Sequence, residues 1–325
     1  SILDLGTSVL SGGSFTIPSG ATLKIAQASG ISGAITASTK TFSSAANYAF
    51  NGATSGTFTT TPTANTVNNL TINRSAGVTL NQSFTTTGTL TLTSGTLDIG
   101  ANTLTIAGSV SRTNGNIDAD AGTVSFTNAN DLNLPTSLFS GNIYNLTKVS
   151  GAGTVTLNDN LTVTNELNSI ASIGAFIIPS LKELAVSGTG KATINGTITN
   201  NGTFTLNSGA TLLQGSNSSI TGGAYNVKQT ITGAGTSTPT GRFWYVGSPV
   251  SGATSAVYDA AGSNILKYYD EPNNTWQEIP DNNAPLAVGK VAGKLKNFDE
   301  EVILRFARLE LIRGEWRSQP RRLLR

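Results

Sequence analysis

One short phrase occurs three times at seven-residue spacing: Gly88-Thr-Leu-Thr-Leu92, Gly95-Thr-Leu-Asp-Ile99 and Asn102-Thr-Leu-Thr-Ile106. We name this stretch the triple phrase. Within each copy Leu or Ile alternates with Thr or Asp, which is the period of a β-strand with one buried side and one solvent-facing side. Gly or Asn begins each copy, and both residues tolerate the positive φ of a sharp turn. The triple phrase therefore predicts short strands joined by tight turns.

Three such copies would make one coil of about 21 residues, within the 20–50-residue periods of stacked repeat proteins. Each coil would bury its Leu, Ile and Val side chains on the next coil, about 4.8 Å away. We therefore predict an all-β chain whose main part is a parallel β-helix, or β-solenoid. The main structural alternative is a sandwich or barrel in which the same strands pair as antiparallel hairpins.

A longer repeat supports stacked blocks of strands. Asn69-Leu-Thr71 and Val78-Thr-Leu-Asn81 return in the same order as Asn145-Leu-Thr147 and Val155-Thr-Leu-Asn158. In a second echo, the segment that begins at Phe15 returns at Phe204, and more weakly at Phe176. Duplication of a multi-strand block explains both echoes.

The composition excludes several kinds of chemistry. The 325 residues are 38% hydrophobic and only 12% charged, so the chain can bury a core while its outer surface is made of hydroxyl and amide groups. With no Cys and no His, it can form neither disulfides nor thiolate metal sites, and it lacks the Ser-His-Asp and Cys-His arrangements. Carboxylates, Lys, Arg and Tyr remain, which is the equipment of polysaccharide lyases and glycosidases on β-helical scaffolds.

Composition also divides the chain into three parts: β-solenoid repeats at 1–222, a small β module at 223–289 and a basic tail at 290–325. Residues 1–289 carry 10 Lys or Arg and 13 Asp or Glu, whereas residues 290–325 carry 10 and 5. Aromatic residues become dense in the second part. We expect five of them either to contact sugar rings or to form the core of a small β module: Trp244, Tyr245, Tyr268, Tyr269 and Trp276.

The acidic residues of the solenoid offer two further hypotheses. Asp118, Asp120 and Asp131 could form a paired-carboxylate site of a carbohydrate-active enzyme, which is the alternative to a non-catalytic role. Asp118-Ala-Asp-Ala-Gly122 also has a loose similarity to a calcium loop, so calcium at Asp118 and Asp120 is a second expectation. The simpler interpretation is that these carboxylates are solvated turn residues.

Outward Thr residues suggest a third role. Thr89, Thr91 and Thr93, and likewise Thr103 and Thr105, would lie on a flat solenoid face, which is the arrangement that an ice-binding surface needs. Such a surface requires the motif to align over successive coils, whereas the outward positions here vary among Thr, Ser, Asp and Asn. The simpler interpretation is that outward Thr is a good polar strand residue.

The phrases of the second part resemble those that follow solenoid repeats in large surface proteins of Bacteroidota. The resemblance spans roughly residues 40–290 and includes these segments: Val227-Lys-Gln-Thr-Ile231, Gly241-Arg-Phe-Trp-Tyr-Val-Gly-Ser-Pro-Val250, Leu266-Lys-Tyr-Tyr-Asp270, Trp276-Gln-Glu-Ile279 and Leu286-Ala-Val-Gly-Lys290. It implies export by the type IX secretion system, an extracellular or outer-surface location, and a C-terminal sorting domain elsewhere in the protein. Because the chain begins at Ser1 without Met, we also expect a leader outside the given sequence.

The basic tail departs from that resemblance. After Lys290 the composition changes from Thr and Gly to Arg, Leu and Glu, so we expect 290–325 to be a frameshifted, truncated or foreign segment, or else a short helix that binds an acidic partner. Its basic run is too short to argue for nucleic-acid binding. No apolar run of about 18 residues exists, so we expect no membrane span. We also expect no cofactor beyond the calcium named above.

Together these observations predict an extracellular structural or adhesive surface protein, not an enzyme. Surface glycans or extracellular matrix are the expected partners. A carbohydrate-active β-helix enzyme and an ice-binding solenoid are the two alternatives.

Overall fold

The computed structural model describes residues 1–52, 56–58, 65–170, 174–216, 218–231, 242–247, 254–255, 266–270, 272–279, 291–296, 300–306 and 316–317. The chain is nearly all β and contains a parallel β-solenoid of about 10 turns. The predicted parallel β-helix is therefore confirmed. The antiparallel sandwich is wrong for this part of the chain, because its strands pair in parallel with strands one turn away.

One turn of the solenoid contains the three copies of the triple phrase. Thr89–Ser94, Thr96–Asp98 and Thr103–Ile106 lie on three different sides of the turn, which we name face 1, face 2 and face 3. Each strand pairs in parallel with a strand of the next turn: Thr89 with Ser109, Thr96 with Asn116, and Thr103 with Thr123. On all three faces the paired residues are 20 positions apart, so this turn is one residue shorter than three seven-residue copies.

Face 1 consists of a six-stranded sheet followed by a five-stranded sheet. Its strands are Ile2–Asp4, Thr22–Ile25, Asn47–Gly52, Leu70–Arg74, Thr89–Ser94 and Ser109–Arg112, then Leu132–Asn133, Val155–Thr156, Ala175–Ile178, Thr197–Asn200 and Ser219–Thr221. Faces 2 and 3 belong to one 16-stranded sheet. The faces merge because three long strands, Asn116–Phe126, Phe139–Lys148 and Leu161–Ser169, pair on face 2 with their first halves and on face 3 with their second halves.

The remaining strands of face 2 are Gly56–Phe58, Val78–Leu80, Thr96–Asp98, Glu183–Val186, Thr203–Leu206 and Ala224–Ile231. Those of face 3 are Thr66–Val67, Phe84–Thr86, Thr103–Ile106, Lys191–Ile194 and Thr211–Gln214. The first two turns differ, since they contain the two-stranded sheet of Ser14–Ile17 and Thr39–Phe42 and the helix Gly30–Ala34. No helix among the described residues is long and apolar enough to cross a membrane.

The core runs along the solenoid as stacks of inward side chains. In the turn of the triple phrase, all six inward positions are fully buried: Leu90, Leu92, Leu97, Ile99, Leu104 and Ile106. Leu90 pairs with Leu70 on one side and Val110 on the other, so like residues stack turn on turn. Each buried Leu or Ile contributes about 1.5–3 kcal/mol relative to an exposed side chain.

Polar side chains connect the turns at a corner of the rod. Asn47 Oδ1 accepts hydrogen bonds from Asn69 Nδ2 at 2.9 Å and from Asn68 Nδ2 at 3.0 Å. Asn69 Oδ1 accepts one from the Thr89 backbone N–H at 2.7 Å, and Thr89 Oγ1 lies 2.8 Å from Ser109 Oγ. Four successive turns are therefore joined by side-chain hydrogen bonds as well as by the backbone ladder.

The long sequence repeat has an unexpected placement. Leu70–Arg74 lies on face 1, whereas the matching phrase at Asn145 lies in the face 3 half of Phe139–Lys148. Val78–Leu80 lies on face 2, and the matching Val155–Thr156 lies on face 1. The duplicated block has rotated around the rod by one face, so the three faces accept the same phrases.

Strand pairing crosses both of the boundaries that composition predicted. Parallel pairing continues from Thr203–Leu206 to residues 224–227, beyond position 222. The small β module is a four-stranded antiparallel sheet in the order Arg242–Gly247, Val291–Lys296, Leu266–Asp270 and Thr275–Glu278. Its second strand, Val291–Lys296, comes from the segment that composition assigned to the tail.

The described parts of the tail are strands. Glu300–Phe306 pairs antiparallel with Ala224–Ile231, and Trp316–Arg317 pairs antiparallel with residues 211–212. These two segments are therefore strands and not parts of a helix. The last parallel strand of a stack has unpaired N–H and C=O groups along one edge, and an added antiparallel strand satisfies them.

Candidate ligand-contact surfaces

The first surface lies on a β-hairpin of the small module. Leu266–Asp270 and Thr275–Glu278 pair antiparallel, with Tyr269 opposite Trp276 and Lys267 opposite Glu278. The turn between the strands contains Asn274 at φ 53°, and Asn273 Nδ2 donates a hydrogen bond to Asp270 Oδ2 at 2.7 Å. Asn tolerates this left-handed conformation better than most residues, so the local sequence suits the turn.

The hairpin strand Thr275–Glu278 is exposed at all four residues, and 41% of Trp276 is accessible to solvent. Lys267 Nζ lies 3.6 Å from Glu278 Oε1, with Glu278 largely exposed. This ion pair is two positions along each strand from the Tyr269–Trp276 pair and so lies on the same side of the hairpin. A flat aromatic ring and a charged pair are thus presented together.

The five aromatic residues that the sequence grouped together lie on three of the four strands of the small sheet. Tyr245 pairs with Gly293, Tyr268 with Ala292, and Tyr269 with Trp276. Of the five side chains, the structure describes only that of Trp276. The expected sugar contacts of Trp244, Tyr245, Tyr268 and Tyr269 lie outside the described side chains.

The acidic residues of the solenoid are not brought together as the sequence suggested. Asp118 and Asp120 lie on face 2, where the Asp120 backbone N–H donates to Asp118 Oδ1 at 3.3 Å. Asp131 precedes the face 1 strand Leu132–Asn133, on a different side of the turn. It accepts hydrogen bonds from Thr154 N at 2.8 Å and Thr154 Oγ1 at 2.9 Å, which lower the pKa of its carboxyl group.

The carboxylate that does stack on Asp118 is Asp98, one turn earlier. In the amino-acid sequence, the only signal for this pair is the similarity of Thr96-Leu-Asp98 to Asn116-Ile-Asp118. Asp98 Oδ1 accepts a hydrogen bond from Gly100 N at 2.7 Å, so it shapes its own turn as Asp118 does. Among the residues that the structure describes, no three acidic side chains form a group that could hold a metal ion. The calcium prediction at Asp118 and Asp120 gains no additional ligand there.

The second surface is the outer side of face 3. Pairing register aligns one residue from each of five successive turns, a set that we name the outer threonine column: Thr66, Thr85, Thr105, Ser125 and Thr147. Ser125 is buried, with 5% of its surface exposed. A parallel column beside it contains Thr103, Thr123 and Asn145, and Asn145 Nδ2 donates to Thr123 Oγ1 at 3.1 Å. The next two turns place a charged pair in this second column, with Lys191 Nζ 3.0 Å from Glu166 Oε1.

The alignment of these columns could not be derived from the alternation within one phrase. It depends on the length of every intervening turn, because one extra residue moves a side chain to the other face of a strand. The comparison of this chain with known protein families, curated proteins and solved structures gives no match.

Proposed function

We propose that this chain is a non-catalytic structural or adhesive surface protein that displays the β-solenoid as a rod outside the cell. The observation that carries the proposal is the stack of about 10 turns with hydroxyl and amide side chains in register on its outer faces. At about 4.8 Å per turn, the stack is on the order of 50 Å long. A rod of that length separates whatever lies at its two ends.

Two physical properties suit such a role. Core stacks and polar corner ladders connect each turn to its neighbours, so the rod resists bending without needing a globular core. The aligned columns repeat the same hydrogen-bonding groups at a fixed spacing, which supports many weak contacts to a repetitive partner such as a glycan or an extracellular matrix. Neither property requires a charged or titratable site.

Location outside the cell is part of the same proposal. It is supported by the resemblance of the phrases at 40–290 to exported Bacteroidota surface proteins, and type IX export is the route that this resemblance implies. Fractionation of producing cells, with protease added to intact cells, tests the location. Protein that is protected from the protease and found in the cytoplasm would contradict it.

Adhesion is tested by binding of the purified chain to a glycan array and to immobilised matrix proteins, with polysaccharide products assayed in parallel. We expect retention on at least one surface and no release of reducing ends or unsaturated uronides. Product release would instead support the carbohydrate-active enzyme.

A double variant tests whether the outer threonine column takes part in adhesion. Thr105 and Thr147 are both replaced by Lys, which should weaken retention if the column contacts the partner. The matched control replaces Thr71 and Ser111 by Lys, because these residues are outward on face 1 and also lie two turns apart. Equal loss in both variants would mean that added charge, and not the column, causes the effect.

A second candidate, ice binding, is favoured by one specific observation. The outer threonine column is aligned over five successive turns, with Thr at four positions and the buried Ser125 at the other. Thr presents both a methyl and a hydroxyl group, so a regular array of Thr can order water into a lattice. Measurement of thermal hysteresis tests it: a freezing-point gap that disappears in Thr105→Lys is expected, and the absence of any gap in the unaltered chain would dismiss the candidate.

A further inference from the structure

We propose that one face of the hairpin formed by Leu266–Asp270 and Thr275–Glu278 is a binding site for a pyranose ring of a neutral polysaccharide. Trp276 provides the stacking surface, and Lys267 with Glu278 provides the hydrogen-bonding groups. This inference rests on the proposed adhesive function and names its ligand class. It selects Trp276 from the five aromatic residues that the sequence offered.

Trp276 is an exposed residue of the hairpin. A core role would bury the ring as completely as Tyr48 or Phe50, which are at most 1% exposed, whereas Trp276 is 41% exposed. Among the described strands, Thr275–Glu278 is the last of the four-stranded sheet, and it is exposed at every position. An exposed tryptophan supplies a large rigid contact area at a low cost in conformational entropy.

Two charged side chains lie next to Trp276 on the same hairpin. Lys267 and Glu278 occupy the cross-strand pair two positions from the Tyr269–Trp276 pair, on the same face. Their ion pair of 3.6 Å leaves the Glu278 side chain 65% exposed and able to accept further hydrogen bonds. Sugar rings present C–H groups on one face and hydroxyl groups at the rim. An indole ring with a carboxylate and an ammonium group beside it matches both parts.

The charge of the proposed site indicates which kind of glycan it fits. The charges of Lys267 and Glu278 compensate each other, so the site has no net charge that would favour an anionic or a cationic glycan. An exposed ion pair of this kind contributes little to the stability of the hairpin. Its groups can therefore exchange their mutual contact for sugar hydroxyl groups at small cost. The site fits neutral β-linked glycans, whose flat rings expose apolar faces.

The register supplies a control within the same strand. Gln277 is exposed and adjacent to Trp276 but projects from the opposite face, where its Nε2 donates to Thr275 Oγ1 at 3.0 Å. Substitution of Gln277 changes the same strand without touching the proposed site. The hairpin can thus be examined one face at a time.

The experiment uses the whole chain in affinity electrophoresis through gels that contain hydroxyethyl cellulose, xylan or soluble chitin, followed by pull-down on insoluble cellulose and chitin. We expect retardation in at least one gel, loss of at least tenfold in affinity for Trp276→Ala, a smaller loss for Trp276→Phe, a loss of a few fold for Glu278→Gln, and no change for Gln277→Ala. Circular dichroism of each variant, unchanged from the parent chain, verifies folding. Binding should also shift the fluorescence of Trp276 to shorter wavelength.

Two results would overturn the inference: equal retention of Trp276→Ala and the unaltered chain, or no retention of the unaltered chain on any of these neutral polysaccharides. The same measurements distinguish failure of this site from failure of the proposed adhesive function. If the unaltered chain binds matrix proteins or cells, and Trp276→Ala binds them equally well, adhesion stands and the hairpin site is wrong. If the unaltered chain binds no surface at all, both proposals fail.

Discussion

The turn from Gly88 to Ile106 and the stretch from Phe139 to Asn200 are parts of one solenoid with different regularity. In the first, all three faces advance by the same offset, and every inward side chain of the triple phrase is Leu or Ile. In the second, the offset changes from face to face: Leu161 pairs with Leu184, 23 positions on, whereas Glu166 pairs with Lys191, 25 positions on. This stretch also buries polar side chains completely: Lys148, Ser169 and Asn200.

Each of these three buried side chains donates at least one hydrogen bond to a backbone carbonyl group. Lys148 Nζ donates to the carbonyl oxygen atoms of Ser150 and Gly151, Ser169 Oγ to Thr197 O, and Asn200 Nδ2 to Ala224 O at 2.9 Å. A buried polar group costs little when it is hydrogen-bonded and much when it is not. The solenoid therefore accepts departures from its repeat where the backbone of a corner provides a partner.

The largest effect is expected in the regular turn. Leu90→Ala removes a fully buried side chain stacked between Leu70 and Val110, so we expect a loss of about 2–5 kcal/mol in the free energy of unfolding. Thr91→Ala, the outward neighbour on the same strand, is the control and should change it by less than about 0.5 kcal/mol. Urea denaturation measures both. Similar effects of the two substitutions would refute the assigned inward and outward sides.

Substitution of Lys148 should raise the free energy of unfolding, whereas substitution of Leu90 lowers it. Burial lowers the pKa of its ammonium group below the ordinary value of 10.5, so the folded chain binds fewer protons than the unfolded chain between these two values. The destabilisation is fully present below the folded-state pKa and is relieved as the pH rises toward 10.5. Lys148→Met should remove this rise in stability with pH.

At neutral pH we expect Lys148→Met to stabilise the fold by about 1 kcal/mol, because the gain from removing a buried charge is offset by two carbonyl groups that lose their donor. Thermal unfolding recorded from pH 7 upward measures both effects. Lys182→Met, at a partly exposed lysine, controls for the loss of a positive charge. An unchanged pH profile in Lys148→Met would show that Lys148 is not the group responsible.

The smallest effect concerns a corner turn that occurs three times among the described residues. Gly20, Leu181 and Gly209 have φ of 71°, 64° and 93° in turns closed by equivalent hydrogen bonds, from Ala21 N to Pro18 O, Lys182 N to Pro179 O and Ala210 N to Asn207 O. Glycine adopts a positive φ without strain, whereas a bulky residue loses roughly 1 kcal/mol. Leu181 is also 95% exposed, so its side chain gains little from packing.

Leu181→Gly should therefore stabilise the fold by up to about 1 kcal/mol, which would bring the irregular turn closer to the regular ones. Ser180→Gly, at the preceding position, is the matched control and should destabilise slightly, since it only adds freedom to the unfolded chain. Differential scanning calorimetry distinguishes the two directions. A lower Tm for Leu181→Gly would mean that the leucine contributes a contact that offsets its strain.

The strands, their inward sides and the three phrases per turn could be predicted from the amino-acid sequence. These properties depend on neighbouring residues: alternation sets which side of a strand is buried, as at Leu90 and Thr91, and Gly or Asn sets where the chain turns.

The residues that meet across a turn could be assigned only from the folded chain. The fold stacks Asp98 on Asp118, aligns Thr85 with Thr105, and leaves Trp276 exposed beside the Lys267–Glu278 pair. Such contacts depend on backbone pairing between residues that are a whole turn apart in the solenoid, or on opposite strands of the hairpin. Each inserted residue in a corner changes that register, so local alternation cannot determine it.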